Sequence, residues 1–223
     1  IVRTNLEFLL NEVPEGVAKT IFLTSTFPKE GKTFISVNLA STIALSDKKV
    51  LLLGLDIRNP KLEEYLDVPK VGVTNYLASK DHKDSADFLT KVEGFSNFYV
   101  MPAGVIPPNP AELLMGKKVG ELFEKLKQEF DYIIVDTAPV SLVTDTLLIS
   151  KYADAFVYVT RANYLDKRML TLPEKLYQEK KLPNMSILIN DTDSTKGYGY
   201  GYGYGYGYGV EVEKKSFWKR FFK

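Results

Sequence analysis

Thr24-Ser25-Thr26-Phe27-Pro28-Lys29-Glu30-Gly31-Lys32-Thr33 decides how the rest of this chain is read. It follows an apolar run at Thr20–Ser25 and opens a helix-like stretch at Lys32–Leu45. Its second half is what a P-loop needs. Gly31 lets the backbone approach closely, Lys32 reaches β- and γ-phosphates, and the Thr33 hydroxyl ligates magnesium. The first glycine of G-x-x-x-x-G-K-T is absent and Thr26 stands in its place, so a pattern search misses the motif. The strand–loop–helix context makes up for that. Thr26, Phe27, Pro28, Lys29, Glu30 and Phe34 complete the candidate cradle around Gly31, Lys32 and Thr33.

Two acidic strand ends belong with this loop. Tyr132-Ile133-Ile134-Val135-Asp136 is a hydrophobic strand ending in an aspartate, the Walker B form that orders magnesium, usually through water. Leu51-Leu52-Leu53-Gly54-Leu55-Asp56-Ile57-Arg58 is a second, directly after the P-loop helix. Lys32, Thr33, Asp56 and Asp136 on neighbouring strands predict a site for Mg·ATP or Mg·GTP, with Thr33, Asp56 and Asp136 as the metal-facing set.

Further strands are expected at Lys49–Leu53, Phe98–Met101, Ala155–Thr160 and Ser186–Asn190, with helices at Lys117–Glu129, Thr144–Ser150 and Asp166–Lys180. The strands read as nearly continuous apolar runs, as strands covered on both faces do. Alternation with helices predicts an α/β fold, a mostly parallel sheet flanked by helices, with its active site at the carboxyl ends of the strands. Residues 1–12 read as a leading helix whose apolar face is Leu6, Phe8, Leu9 and Leu10.

The 223 residues carry a net charge of +1, which argues against a nucleic-acid partner, and no cysteine, which fits a reducing compartment. The longest apolar stretch, near Val50, is too short to span a bilayer, and no signal peptide is visible. The chain begins at Ile1, already in helix-like sequence, so a fragment is expected, and a membrane span could lie upstream in the parent protein. After about Asp191 the composition shifts, which divides the chain into a domain over 1–193 and a tail over 194–223. From Gly197 to Gly209 glycine and tyrosine alternate, placing Tyr198, Tyr200, Tyr202, Tyr204, Tyr206 and Tyr208 on a backbone too glycine-rich to pack. Beside an ATP site these phenols read as phosphoacceptors; on their own they read as a sticky low-complexity linker. The cationic and aromatic terminus, Lys214 to Lys223, suits either an anionic membrane surface or solvent. His82 lies in a charged surface stretch, and Tyr132, Tyr152 and Tyr158 sit in or beside core elements.

On these motifs the chain resembles the cytoplasmic catalytic domain of the bacterial tyrosine kinases that regulate capsular and extracellular polysaccharide export. The resemblance extends to Gly104-Val105-Ile106-Pro107-Pro108-Asn109-Pro110-Ala111-Glu112-Leu113-Leu114, to Val143-Thr144-Asp145 after Walker B, and to the terminal tyrosine cluster. Arg3 looks like the end of that family's ring-assembly helix motif. The resemblance implies a doubly wound P-loop fold, like that of the partition ATPases, with a disordered tail. It implies ATP and magnesium as cofactors and autophosphorylation of the tail on a neighbouring subunit of a homo-oligomer, a ring being one form of it. It also implies a place at the cytoplasmic face of the inner membrane. Partners would be the upstream membrane region or a membrane activator, a tyrosine phosphatase and the polysaccharide-export machinery. Lys32, Asp56 and Asp136 would be catalytic, Arg58 would contact phosphate or a salt-bridge partner, and Asn190 would recognise adenine or serve as a turn residue.

Three residues depart from the family pattern. Gly54 replaces an aspartate proposed to help deprotonate tyrosine, and Lys29 replaces a glycine. Phe27 stands where partition ATPases carry a signature lysine. A partition-type ATPase and a nucleotide-binding scaffold therefore remain as alternatives to the kinase.

Overall fold

Lys19–Ser25, the strand feeding the loop, is β1 of a seven-stranded sheet in the computed structural model, which describes residues 2–79 and 84–193. His82 and the six candidate acceptor tyrosines lie outside the described residues. In chain order the elements are α1 (Val2–Leu9), β1, α2 (Lys32–Ala44), β2 (Val50–Leu55), α3 (Val73–Ala78), β3 (Thr90–Lys91), β4 (Phe98–Met101), α4 (Pro110–Met115), α5 (Lys117–Glu129), β5 (Tyr132–Thr137), α6 (Asp145–Ile149), β6 (Ala155–Arg161), α7 (Thr171–Gln178) and β7 (Met185–Asn190). Residues 1–192 form one compact unit.

The sheet order is β3-β4-β2-β5-β1-β6-β7, parallel throughout except for β3, which pairs antiparallel with β4. The chain leaves β1 for β2 on one side and leaves β5 for β6 on the other. The loops after β1 and β5 therefore open side by side where the strand order reverses, the place where α/β sheets bind ligands. Side-chain alternation gives the sheet two cores. Phe22, Leu51, Leu53, Ile133, Val135 and Phe156 pack under α3 to α7, and Ile21, Leu23, Leu52, Ile134 and Val157 under α1 and α2.

All six expected strands form to within two residues. β3, α3 and α4 were not expected, being too short to show a period. The helix expected over Asp166–Lys180 is instead a 3-10 turn, Lys167–Leu170, followed by α7. Pro173 is the reason. Inside a continuous helix its ring would meet the carbonyl of Met169 and offer no N–H, whereas starting at Thr171 puts it in the first turn, where neither matters.

The apolar face of α1 also needs correction. Leu6 and Leu10 are buried and Leu9 and Val13 pack beside them, but Phe8 is 72% exposed. At about 100° per residue, 6, 10 and 13 share a stripe that 8 does not. Leu10→Ala should therefore cost about 2–5 kcal/mol in urea unfolding, and Phe8→Ala less than about 0.5. Equal costs would show that α1 packs by another face.

Candidate active site

Asp136, next to last in β5, is 2% exposed and gathers donors from the first turns of α2. Lys32 Nζ lies 2.9 Å from its Oδ1 and the Thr33 hydroxyl donates to its Oδ2 at 2.8 Å. The Ser36 hydroxyl sits between Oδ1, at 3.2 Å, and the Lys32 carbonyl, at 3.0 Å. Asp56, just past β2, is 3.8 Å from Lys32 Nζ; its amide donates to the Asp136 carbonyl at 3.0 Å. Burial pushes the Asp56 carboxyl up from its ordinary value. Lys32 and the Asn59 amide pull it down, and Asp136 adds to the rise. Two buried carboxylates thus face one buried ammonium.

An uncompensated charge of this sign, with a hydroxyl beside it and only oxygen ligands on offer, suits a hard divalent cation shared with phosphates. The residues present fit magnesium. Thr33, Asp56 and Asp136 would hold it.

The loop above this cluster reaches its shape without the usual glycines. Gly31 has φ 93°, and its missing Cβ leaves room for Asn190, whose Nδ2 would lie 2.0 Å from it. Asn190, at the end of β7, uses that amide to donate to the Glu30 carbonyl at 3.0 Å. Lys29 also adopts a left-handed φ of 69°, a conformation that favours glycine. Thr26 faces away from the cavity, its hydroxyl 2.9 Å from that of Tyr158, whose phenol burial pushes up to about 12. Glu30 turns inward as well. Its Oε2 accepts from the Phe27 amide at 2.7 Å, while Oε1 has no partner among the described residues. Burial raises its carboxyl, opposed by the amides of Phe27, Arg161 and Thr26.

A cavity of about 590 Å3 opens over the loop, lined by Pro28 to Thr33 on its floor, Asp56 and Arg58 on one wall and Ala138, Pro139 and Leu142 on another. The N-terminus of α2, with its free amides, points into such a space as an anion site does. Arg58 forms a paired contact with the buried Asp145 of α6, at 2.6 and 3.0 Å, so both the salt bridge and the cavity claim it. Phe34 does not line the cavity; its ring is half exposed, 6.3 Å from that of Tyr65. Arg3 is remote from the site, paired within its own chain to Glu7 and Ser46.

Sequence reading missed Ser36, Arg161 and Tyr164. Ser36 is three residues after Thr33 and four after Lys32, on the same helix face, which is a usable signal. Arg161 ends an apolar strand as Asp136 does; it lines the cavity and donates to the Lys29 carbonyl at 3.3 Å. Tyr164 donates to the Pro28 carbonyl at 3.1 Å, from a turn that no sequence pattern marks.

Gly54 lies beside Asp136 in the β2–β5 register. A Cβ there would stand 2.9 Å from the Ala103 amide nitrogen and 3.0 Å from Leu62 Cδ1. The space an aspartate would use is already filled, so the glycine is built into the packing.

Fold and site together define a P-loop nucleotide-binding domain. A family model described as an AAA domain matches residues 19–168. The chain is 33% identical over 177 residues to the tyrosine-protein kinase CpsD of Streptococcus pneumoniae, covering 78% of this chain and 77% of that protein. It is 35% identical over 161 residues to the tyrosine-protein kinase Wzc of Salmonella typhimurium, covering 72% of this chain but only 22% of that longer protein. The kinase domain of the Escherichia coli tyrosine kinase ETK matches with a TM-score of 0.75 and 30% identity, over 89% of this chain and 78% of that one. The chain belongs to the bacterial tyrosine-protein kinases, within the AAA domain family.

Two substitutions test this packing. Gly54→Ala should lower stability by about 1–3 kcal/mol in urea unfolding. Adding Leu62→Ala should not restore it, because the nearest obstacle is backbone; full recovery would mean the side chain alone sets the limit. For Glu30, a folded-state value above the ordinary 4.5 means that ionisation opposes folding. The cost is absent below that value and complete above the raised one. Glu30→Gln should therefore raise Tm at neutral pH and lose that advantage as the pH falls towards 4.5. A gain that does not vary with pH would refute this.

Proposed function

We propose that this chain is an ATP-dependent protein-tyrosine kinase that phosphorylates the tyrosines of its own tail, on a neighbouring copy within an oligomer. The observation that carries this reading is the Lys32, Thr33, Asp56 and Asp136 cluster beneath a P-loop, in a chain that carries six glycine-flanked tyrosines between Gly197 and Gly209. Residues 1–193 act as the kinase domain and 194–223 as its substrate and terminus. Membership of the tyrosine-protein kinases supports the choice of acceptor.

Lys32 leaves Asp136 to neutralise the transferring phosphate, while the free amides at the start of α2 hold the β-phosphate. Magnesium, when bound, draws charge from the β- and γ-oxygens. Thr33, Asp56 and Asp136 keep their oxygens turned towards that place. The tyrosine oxygen bonds to the γ-phosphorus as the bond to the bridging oxygen of ADP breaks. The phenolic proton passes to Asp56, the remaining carboxylate at that strand end, and transfer of this kind asks little of a base beyond position. Arg58, held by Asp145, faces the same space. Asn190 supports the loop beside the adenine end.

Six phosphates would add roughly −9 to −12 charges to the tail, enough to repel it from phosphate-bearing sites and loosen the assembly. Arg3, exposed on α1, serves that assembly in this reading. The setting is the cytoplasmic face of a membrane, beside a membrane activator, a phosphatase and polysaccharide-export machinery. Among the described residues, no helix is long and apolar enough to cross a membrane. Gly54 favours one other reading, a nucleotide-binding scaffold without transfer.

Intact mass after incubation with Mg·ATP separates these. Phosphates should step up towards six on the parent. They should be absent from Lys32→Met, with its fold checked by circular dichroism, and from a chain truncated after Lys196. ATP hydrolysis without phosphotyrosine would indicate a partition-type ATPase; neither activity would indicate the scaffold.

A further inference from the structure

We propose that Phe34 and Tyr65 form a seat for the acceptor's phenol ring, one that selects a glycine-flanked tyrosine in an extended peptide. The proposal rests on the kinase reading above and adds to it the residues that choose the substrate.

Phe34 directly follows Thr33, the hydroxyl at the metal-facing cluster, and Tyr65 lines the same cavity as Lys32, Thr33 and Asp56. Their rings lie 6.3 Å apart at 53°, with the two residues 47% and 45% exposed. A third ring can pack against such a pair in the offset or edge-on geometry that aromatic rings prefer. Leu142, 60% exposed, lines the cavity from the loop after β5 and supplies a second apolar edge. Lys61 and Glu64, also at the cavity, are paired with each other and leave this part of the rim without net charge.

The position of Tyr65 follows from Gly54. Leu62, 2% exposed, fills the space a side chain at 54 would occupy and anchors the 3-10 turn Leu62–Glu64. The amides of Tyr65 and Leu66 both donate to the Leu62 carbonyl at 3.0 Å, and Leu66 and Val68 pack into the core beyond. Tyr65 is therefore fixed at the backbone while its ring stays open.

The acceptor chemistry needs such a seat. In the alternating segment each tyrosine has glycine on both sides, so no neighbouring side chain can contribute to recognition. Specificity falls on the ring. Arg161, which also lines the cavity, lies 5.5 Å over the Tyr164 ring beside the loop that Asn190 supports, which leaves the Tyr65 wall, with Phe34 packed against it, for the acceptor.

The test uses the full chain and a labelled Gly-Tyr-Gly-Tyr-Gly peptide, whose binding is followed by fluorescence polarisation with Mg·ADP present and whose phosphorylation is followed with Mg·ATP. The chain's own tail is present in every variant and competes equally. Phe34→Ala and Tyr65→Ala should each raise the peptide Kd and KM about three- to tenfold, with Tyr65→Phe close to the parent and Mg·ADP affinity held within about twofold throughout. Unchanged peptide affinity in the double variant would overturn the seat. So would an equal loss of Mg·ADP affinity, since the pair would then hold nucleotide, or a parent that does not bind the peptide. Binding that weakens as expected, with no phosphate transferred by the parent, would overturn the kinase reading and leave the ring seat standing.

Discussion

The Asp136 carboxylate is where the sheet and the chemistry meet. It sits at the end of the strand between β1 and β2, and takes up Lys32, Thr33 and Ser36 from the first turns of α2. Breaking a buried pair by removing one partner typically costs about 3–5 kcal/mol, because the other charge is left without compensation. Lys32 is 7% exposed and Asp136 2%, so neither could do without the other in the ligand-free protein. Together with the packing of Val37, Leu39, Ala40 and Ile43 of α2, that contact ties the start of the helix to β5. A phosphate entering the site gives Lys32 a different partner rather than a first one.

Much of this was legible because the residues concerned follow simple periodicities. Val50 to Leu53 and Ile133 to Val135 are apolar without interruption, and only strands buried on both faces read that way. Asp56 and Asp136 are conspicuous as the first charges after such runs. The loop was recognisable despite Thr26, because its surroundings are ordered as strand, turn and helix. What escaped notice depends on contacts distant in sequence. Phe8 was misassigned because four apolar residues in five do not declare which stripe faces inward. Tyr164 reaches Pro28 across 136 positions, and Tyr65 owes its place to a leucine under a glycine. The tail tyrosines were conspicuous for the opposite reason, since their pattern suits no packed element.

Gly54 shows how a missing group can be mistaken for a simple loss. By itself the glycine removes a carboxylate from the strand end. With Leu62 beneath it, the same position becomes a point of close packing that organises the chain leading to the cavity rim. Packing sets what position 54 can hold, and Asp56 is the acidic group at that strand end.

The loop itself is not a portable motif. Glycine at 26 and at 29 would let ten residues fold over a phosphate largely unaided. Here the Tyr158 hydroxyl, the Arg161 guanidinium, the Tyr164 phenol and the Asn190 amide hold the segment in shape from β6, β7 and the turn between them. The instructions for the loop have thus moved into the scaffold around it. Grafted onto another sheet, the same ten residues would lose those four contacts and the form they hold. A protein built this way can diverge from its family's signature and keep the site that the signature describes.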